Sequence, residues 1–236
     1  GADIYSTADQ GRFVYKQLTG NGTIVARVDH LDATDPWAKA GVMIRQTLQP
    51  DSIWAYSLWA PGDGNRFRFQ NRATQSGAGA SDTSVATPEQ SSVDIPVWVK
   101  LERNGNQFNA YYATAEAPTT WIASLSNPQT IAMTDPVYVG LAVTSHTTTA
   151  STQAVFSEIA TTGNVSGQWQ SVSLTVDQPA GNGVDQLYVA VEDSSGRKAT
   201  VANLDPYAVG AGLWSRWDIP LSAISSAGVN ARSIRK

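Results

Sequence analysis

The chain has 236 residues, 42% hydrophobic and only 15% charged, with 19 Gly, 11 Pro and no Cys. Ordinary soluble domains carry about 25% charge, so uncharged polar residues and turn formers fill the gap, which predicts a turn-rich all-β protein. A net charge of −4 with no basic stripe argues against nucleic acid as a partner and against anionic lipid surfaces; no apolar run is long enough to span a bilayer; and the absence of Cys removes disulfides, thiolate nucleophiles and Cys-ligated metals.

The predicted elements are strands, marked by period-two alternation. Gly20-Asn21-Gly22 reads as a turn, followed by a strand Thr23–Val28 with Ile24, Ala26 and Val28 facing inward. Pro61-Gly62-Asp63-Gly64-Asn65 is a second turn, after which Phe67 and Phe69 alternate with Arg66, Arg68 and Gln70. Residues 74–92 are poor in apolar side chains and rich in Gly, Ser, Thr and Ala, so a long surface loop is expected. Val97, Val99 and Leu101 form the inward set of the next strand. Asn104-Gly105-Asn106 then predicts a tight hairpin, because a primed turn needs a residue tolerant of positive φ, and its second strand is Gln107–Ala113. Val137, Val139, Leu141 and Val143 mark another strand.

Residues 161–167 (TTGNVSG) read as the end of one domain and a linker. Further strands are expected at 168–176, 186–192 and 198–203, with single helical turns at 206–210 and 221–226. The charge pattern changes at the same place: residues 1–163 hold 10 basic and 14 acidic side chains, residues 164–236 six of each. The expected organisation is a domain over 1–162, a linker over 163–167 and a second domain over 168–236, consistent with roughly 100–200 residues per domain.

Several runs in the first part carry a family likeness: Gly1-Ala2-Asp3-Ile4-Tyr5 with Ala8-Asp9, Gly20 to Val28, Trp37 to Arg45, Tyr138 to His146 and Phe156-Ser157-Glu158-Ile159. In these, residues 1–162 resemble the concanavalin A-like (laminin-G-like) β-sandwich modules of large secreted bacterial proteins. The resemblance implies an antiparallel two-sheet β-sandwich of jelly-roll type, an extracellular or cell-surface address, a core position for Trp37 and usually no catalysis. Leu187 to Ser194, Asp205-Pro206 and Trp214 to Leu221 resemble galactose-binding-like jelly rolls, which implies a second, smaller and incomplete β-sandwich. Modules of the first kind usually begin a strand or two before Gly1 and those of the second kind usually continue past Lys236, so open strand edges at both ends are a further expectation, and with them self-association.

The chemistry-bearing residues are few. His30 and His146 are the two histidines, and neither lies near a nucleophile elbow or in a zinc spacing. The five Glu residues (89, 102, 116, 158 and 192) include no pair spaced as in sandwich glucanases, so no catalytic residue is expected and the chain is read as a non-enzyme. No cofactor is expected beyond calcium, for which Asp177, Asn182 and Asp185 are weak candidates, with Asp29, Asp32 and Asp35 as a second group. Ordinary Asx turns explain both groups as well.

Eight Trp are the feature that stands out. Trp98 lies on the strand face of Lys100 and Glu102, opposite the apolar set. Trp54 and Tyr56 share a face and Trp59 points the other way; the adjacent Arg66, Arg68 and Arg72 lie on a polar face. Aromatic rings stack on the C–H faces of sugars while Arg, Asn and Gln bind hydroxyls, so Trp54, Trp59, Arg66, Arg68, Arg72 and Trp98 form the expected ligand-binding set, with a polysaccharide or glycan as partner. A core or domain-contact role for the same Trp residues is the competing reading. The expected function is a non-catalytic carbohydrate-binding or adhesive module of a secreted protein; the alternative is a structural subunit of an extracellular fibre or surface layer built through strand edges.

Overall fold

The computed structural model describes residues 1–62, 66–81, 93–114, 116–175, 187–203 and 217–234. The architecture is all-β. Eleven strands make one large antiparallel sheet: β1 Gly11–Leu31, β2 Lys39–Arg45, β3 Trp54–Ala60, β4 Arg66–Arg72, β5 Ala80–Ser81, β6 Val97–Asn104, β7 Gln107–Ala113, β8 Ile122–Ala123, β9 Gln129–Thr130, β10 Val137–Thr144 and β11 Ala154–Leu174. Two more, β12 Tyr188–Glu192 and β13 Lys198–Ala202, form a separate hairpin, and α1 spans Leu221–Ser225.

The large sheet runs β5-β4-β3-β2-β10-β1-β6-β7-β8, with β9 also on β7 and β11 on β1. It curls into two layers because β1 belongs to both. Its first part, residues 12–18, pairs with β10, and residues 22–28 pair with β6. Between them Gly20 and Asn21 are two extra residues relative to β11, where Thr19 faces Asn164 and Gly22 faces Gly163. The expected turn at Gly20-Asn21-Gly22 is therefore a bulge within one long strand, which bends the ribbon from one layer to the other. Gly20 has φ +76, a conformation glycine adopts without steric cost. Asp135 accepts from its N–H (3.0 Å), and Asn21 holds the β6–β7 hairpin through the Gly105 N–H (2.8 Å).

Between the layers lies one apolar core. Ile24, Ala26, Val28, Val97, Val99, Leu101, Val137, Val139, Phe67 and Phe69 are buried as the alternation predicts. Phe67 of one layer meets Tyr112 of the other with ring centroids 4.8 Å apart. The β6–β7 hairpin closes as expected, in a two-residue loop with Gly105 at φ +60.

Two further expectations change. Residues 163–167 lie inside β11, hydrogen-bonded alongside β1, so a Gly-rich stretch read as a linker is a strand whose Gly163 and Gly167 take positive φ at bulges. The compact first unit accordingly extends to Val176, and a second begins at Asp177. Trp37 is half-buried rather than a core residue; it sits at the turn before β2, its backbone N–H bonded to Asp35 Oδ1 at 2.7 Å.

In the second unit, β12 and β13 pair from Tyr188↔Ala202 to Glu192↔Lys198. Ala199, Ile224 and Val229 form a small core, and the expected helical turn at 221–226 appears as α1. The expected turn at 206–210 and most of the expected loop, 82–92, lie outside the described residues.

Candidate functional site: two aromatic sheet faces

Two outward sheet faces carry the aromatic residues. On the first layer, period two places Lys39, Met43 and Arg45 of β2, Trp54, Tyr56 and Leu58 of β3, and Arg66, Arg68, Gln70 and Arg72 of β4 on one side. Four of the expected residues, Trp54, Arg66, Arg68 and Arg72, share that side, whereas Trp59 and Trp98 do not; the Arg72 guanidinium lies 5.2 Å from the Trp54 ring centroid, and Trp54 meets Tyr56 edge-on. Yet Trp54 and Arg72 are fully buried and Arg68 nearly so.

Residues 1–10 cover this face. Asp9 reaches in between Arg72 (2.6 Å) and Arg45 (3.2 Å), and its Oδ1 accepts from the Trp54 indole N–H at 3.2 Å. Arg72 also donates to the carbonyls of Ser6, Pro50 and Ser52, and Lys39 to that of Ile4. Burial pushes the Asp9 carboxyl up from its ordinary range while Arg45 and Arg72 pull it down. Burial likewise lowers the Lys39 ammonium, opposed by Asp3. Trp54, Arg68 and Arg72 are thus internal to the described fold and not open to a ligand, a correction to the sequence expectation. Trp59 is corrected too: it lies on the core side, its indole N–H bonded to the Val93 carbonyl at 2.6 Å. Arg66 is half-buried at the start of β4.

The second face belongs to the other layer and lies around Trp98. Arg27, Trp98 and Ala113 are cross-strand neighbours on β1, β6 and β7, and Val25, Lys100 and Tyr111 form the adjacent row. Trp98, Tyr111 and Trp121 are all half-buried. Lys100 Nζ sits 4.2 Å from the Tyr111 ring centroid and 4.7 Å from that of Trp121, and 2.9 Å from Glu102. Burial, and then the Glu102 charge, push the Tyr111 phenol up, so it stays protonated and bonded to Glu102. The Trp98 indole Nε1 is inaccessible and has no hydrogen-bond partner among the described residues, and the same is true of Ser157 Oγ on the neighbouring β11. A buried N–H without an acceptor is costly, and because solvent does not reach this one it is not a contact that a ligand makes as the face stands.

Sequence reading placed Trp98 correctly with Lys100 and Glu102 but missed Tyr111 and Trp121. Tyr111 was recoverable: in a hairpin closed at Gly105, it falls opposite Lys100. Trp121 was not, because it reaches the face from a loop.

The remaining candidates are dispersed. Asp29 pairs with Arg27 (3.4 Å), Asp32 with His30 (2.9 Å), and Asp35 with His146 (2.8 Å). No group of three or more His, Asp or Glu positioned to hold a metal occurs among the described residues. Asp177, Asn182 and Asp185 lie outside them, as do Trp214 and Arg216. No described helix is long and apolar enough to cross a membrane.

No protein-family model matches the chain, and no curated protein matches its sequence. Among solved structures it is similar to a functionally unknown protein from Saccharomyces cerevisiae, with a TM-score of 0.55 and 14% identity, over 70% of this chain and 84% of that one. It is also similar to a mutant of the GH43 protein BlXynB from Bacillus licheniformis, with a TM-score of 0.41 and 9% identity, over 66% of this chain and 28% of that one. The first likeness concerns the fold alone, and the second carries no argument about this chain.

Proposed function

We propose that the chain is a non-catalytic glycan-binding module of a secreted or cell-surface protein. The first unit is read as a concanavalin A-like sandwich, and the ligand face is that of Trp98, Tyr111 and Trp121. The observation that carries this reading is the set of three half-exposed rings, Trp98, Tyr111 and Trp121, gathered around Lys100 at one sheet face. Aromatic side chains with a polar edge favour surfaces that are apolar on one side and wet on the other. A sugar ring has both: a C–H face to lie against indole or phenol, and hydroxyls for the wet side.

The low charge supports an extracellular setting, and the absence of Cys is compatible with it, since a protein of this length needs no disulfide to complete its core. The carboxylates on or beside the face are engaged, Glu102 by Lys100 and Asp29 by Arg27, which supports binding rather than general acid–base work.

The test is retention of the purified chain on insoluble polysaccharides and its retardation in gels containing soluble ones. Trp98→Ala is expected to abolish retention while leaving the thermal unfolding curve close to that of the parent. Retention unchanged in Trp98→Ala, or no retention on any polysaccharide, would reject the reading.

A further inference from the structure

Resting on the glycan-binding reading, we infer that the Trp98 face takes an uncharged saccharide chain and disfavours uronic-acid and sulfated glycans. The inference comes from how charge is distributed there. Among the described residues, two cations lie on the face, Arg27 and Lys100, and each has a carboxylate of the same face beside it: Asp29 at 3.4 Å and Glu102 at 2.9 Å. The face is therefore balanced before any ligand arrives.

Exposure then decides which charge a ligand meets. In the Lys100–Glu102 pair the ammonium side chain is 15% exposed and the carboxylate 35%. Lys100 also lies over the Tyr111 and Trp121 rings, where cation–π attraction holds it. An incoming carboxylate or sulfate reaches Glu102 before Lys100, and like charges brought together at an interface oppose binding.

The hydrogen-bonding groups ask for the same ligand. The Glu102 carboxylate, the more exposed member of its pair, accepts hydrogen bonds and donates none. A sugar hydroxyl can donate to it; a carboxylate or sulfate oxygen cannot.

The experiment is affinity electrophoresis of the full chain in gels containing galactomannan, xyloglucan or laminarin, and in parallel polygalacturonate, alginate or chondroitin sulfate, with Glu102→Gln and Trp98→Ala alongside. At least one neutral polymer is expected to retard the parent, Trp98→Ala is expected to lose that retardation, and binding measured by calorimetry is expected to change little between about 0.1 and about 1 M salt, because screening acts on charge contacts. Glu102→Gln leaves Lys100 without its carboxylate and is expected to strengthen binding to polygalacturonate several-fold at low salt. Stronger, salt-sensitive binding of an acidic polymer by the parent would overturn the inference and leave the glycan reading standing. No retardation by either class would overturn both. Matching thermal melts of the two variants and the parent keep misfolding out of the comparison.

Discussion

Asp9 illustrates how much one residue holds. Its carboxylate neutralises two fully buried guanidiniums and accepts the Trp54 indole N–H. Removing one partner of such a network leaves the others charged and dry, which costs about 3–5 kcal/mol. Asp9→Ala is therefore expected to lower the urea unfolding free energy by about that much, and the result would be contradicted by a midpoint close to that of the parent. Trp54→Ala, which empties a fully buried site, is expected to cost about 3–5 kcal/mol as well. Trp98, half-exposed and without a hydrogen-bond partner for its indole nitrogen, contributes far less to stability. The two Trp residues look alike in the sequence, since each alternates with apolar neighbours. What separates them is the strap of residues 1–10, a contact that no local pattern announces.

At the scale of elements, the β1–β11 ribbon and the β12–β13 hairpin make different demands. Gly163 takes φ +89, and a Cβ there would lie 2.2 Å from the Asn21 carbonyl oxygen. Gly163→Ala must therefore adopt a left-handed conformation and displace the backbone of β1. A loss of at least about 1–3 kcal/mol is expected, measured by chemical unfolding; an unchanged midpoint would show that the ribbon is not locked at its corner. In the hairpin, buried Asp193 accepts the backbone N–H groups of Ser195, Arg197 and Asn230 and the Arg197 Nε–H. The Asn230 N–H first, and then those of Arg197 and Ser195, hold its carboxyl below the ordinary value of 3.8. The bound anion is the favoured form in the folded hairpin, so this contribution is complete above that ordinary value. It is lost as pH falls through the lower value of the folded state. NMR of the β12–β13 amides is expected to show the hairpin loosening on acidification, and Asp193→Asn to show the weakened hairpin already at neutral pH.

For the whole molecule, the exposed margin of β11 governs self-association. Val155, Ile159 and Trp169 on it are each more than 40% exposed. Against that, its register with β1 shifts at four places, and Glu158, Gly163 and Gly167 have positive φ. Bulges of this kind break the straight row of N–H and C=O groups that an added strand requires. The expected outcome of sedimentation velocity is one species whose sedimentation does not rise with concentration. Polymers would instead favour the structural-subunit reading of the sequence.

By itself the sequence determined the strand stretches at 23–28, 97–101, 107–113 and 137–143, their inward faces and the β6–β7 hairpin, because period-two alternation and turn chemistry act between near neighbours along the chain. It also brought Trp98, Lys100 and Glu102 to one face by the same rule. Only the tertiary structure decided which faces are open. The strap over Trp54, the union of residues 11–31 into one bent strand, the continuation of β11 through 163–167 and the arrival of Trp121 beside Lys100 all depend on partners distant in sequence. Alternation fixes the side of a strand on which a residue lies; whether that side meets solvent is set by whatever else the chain folds over it.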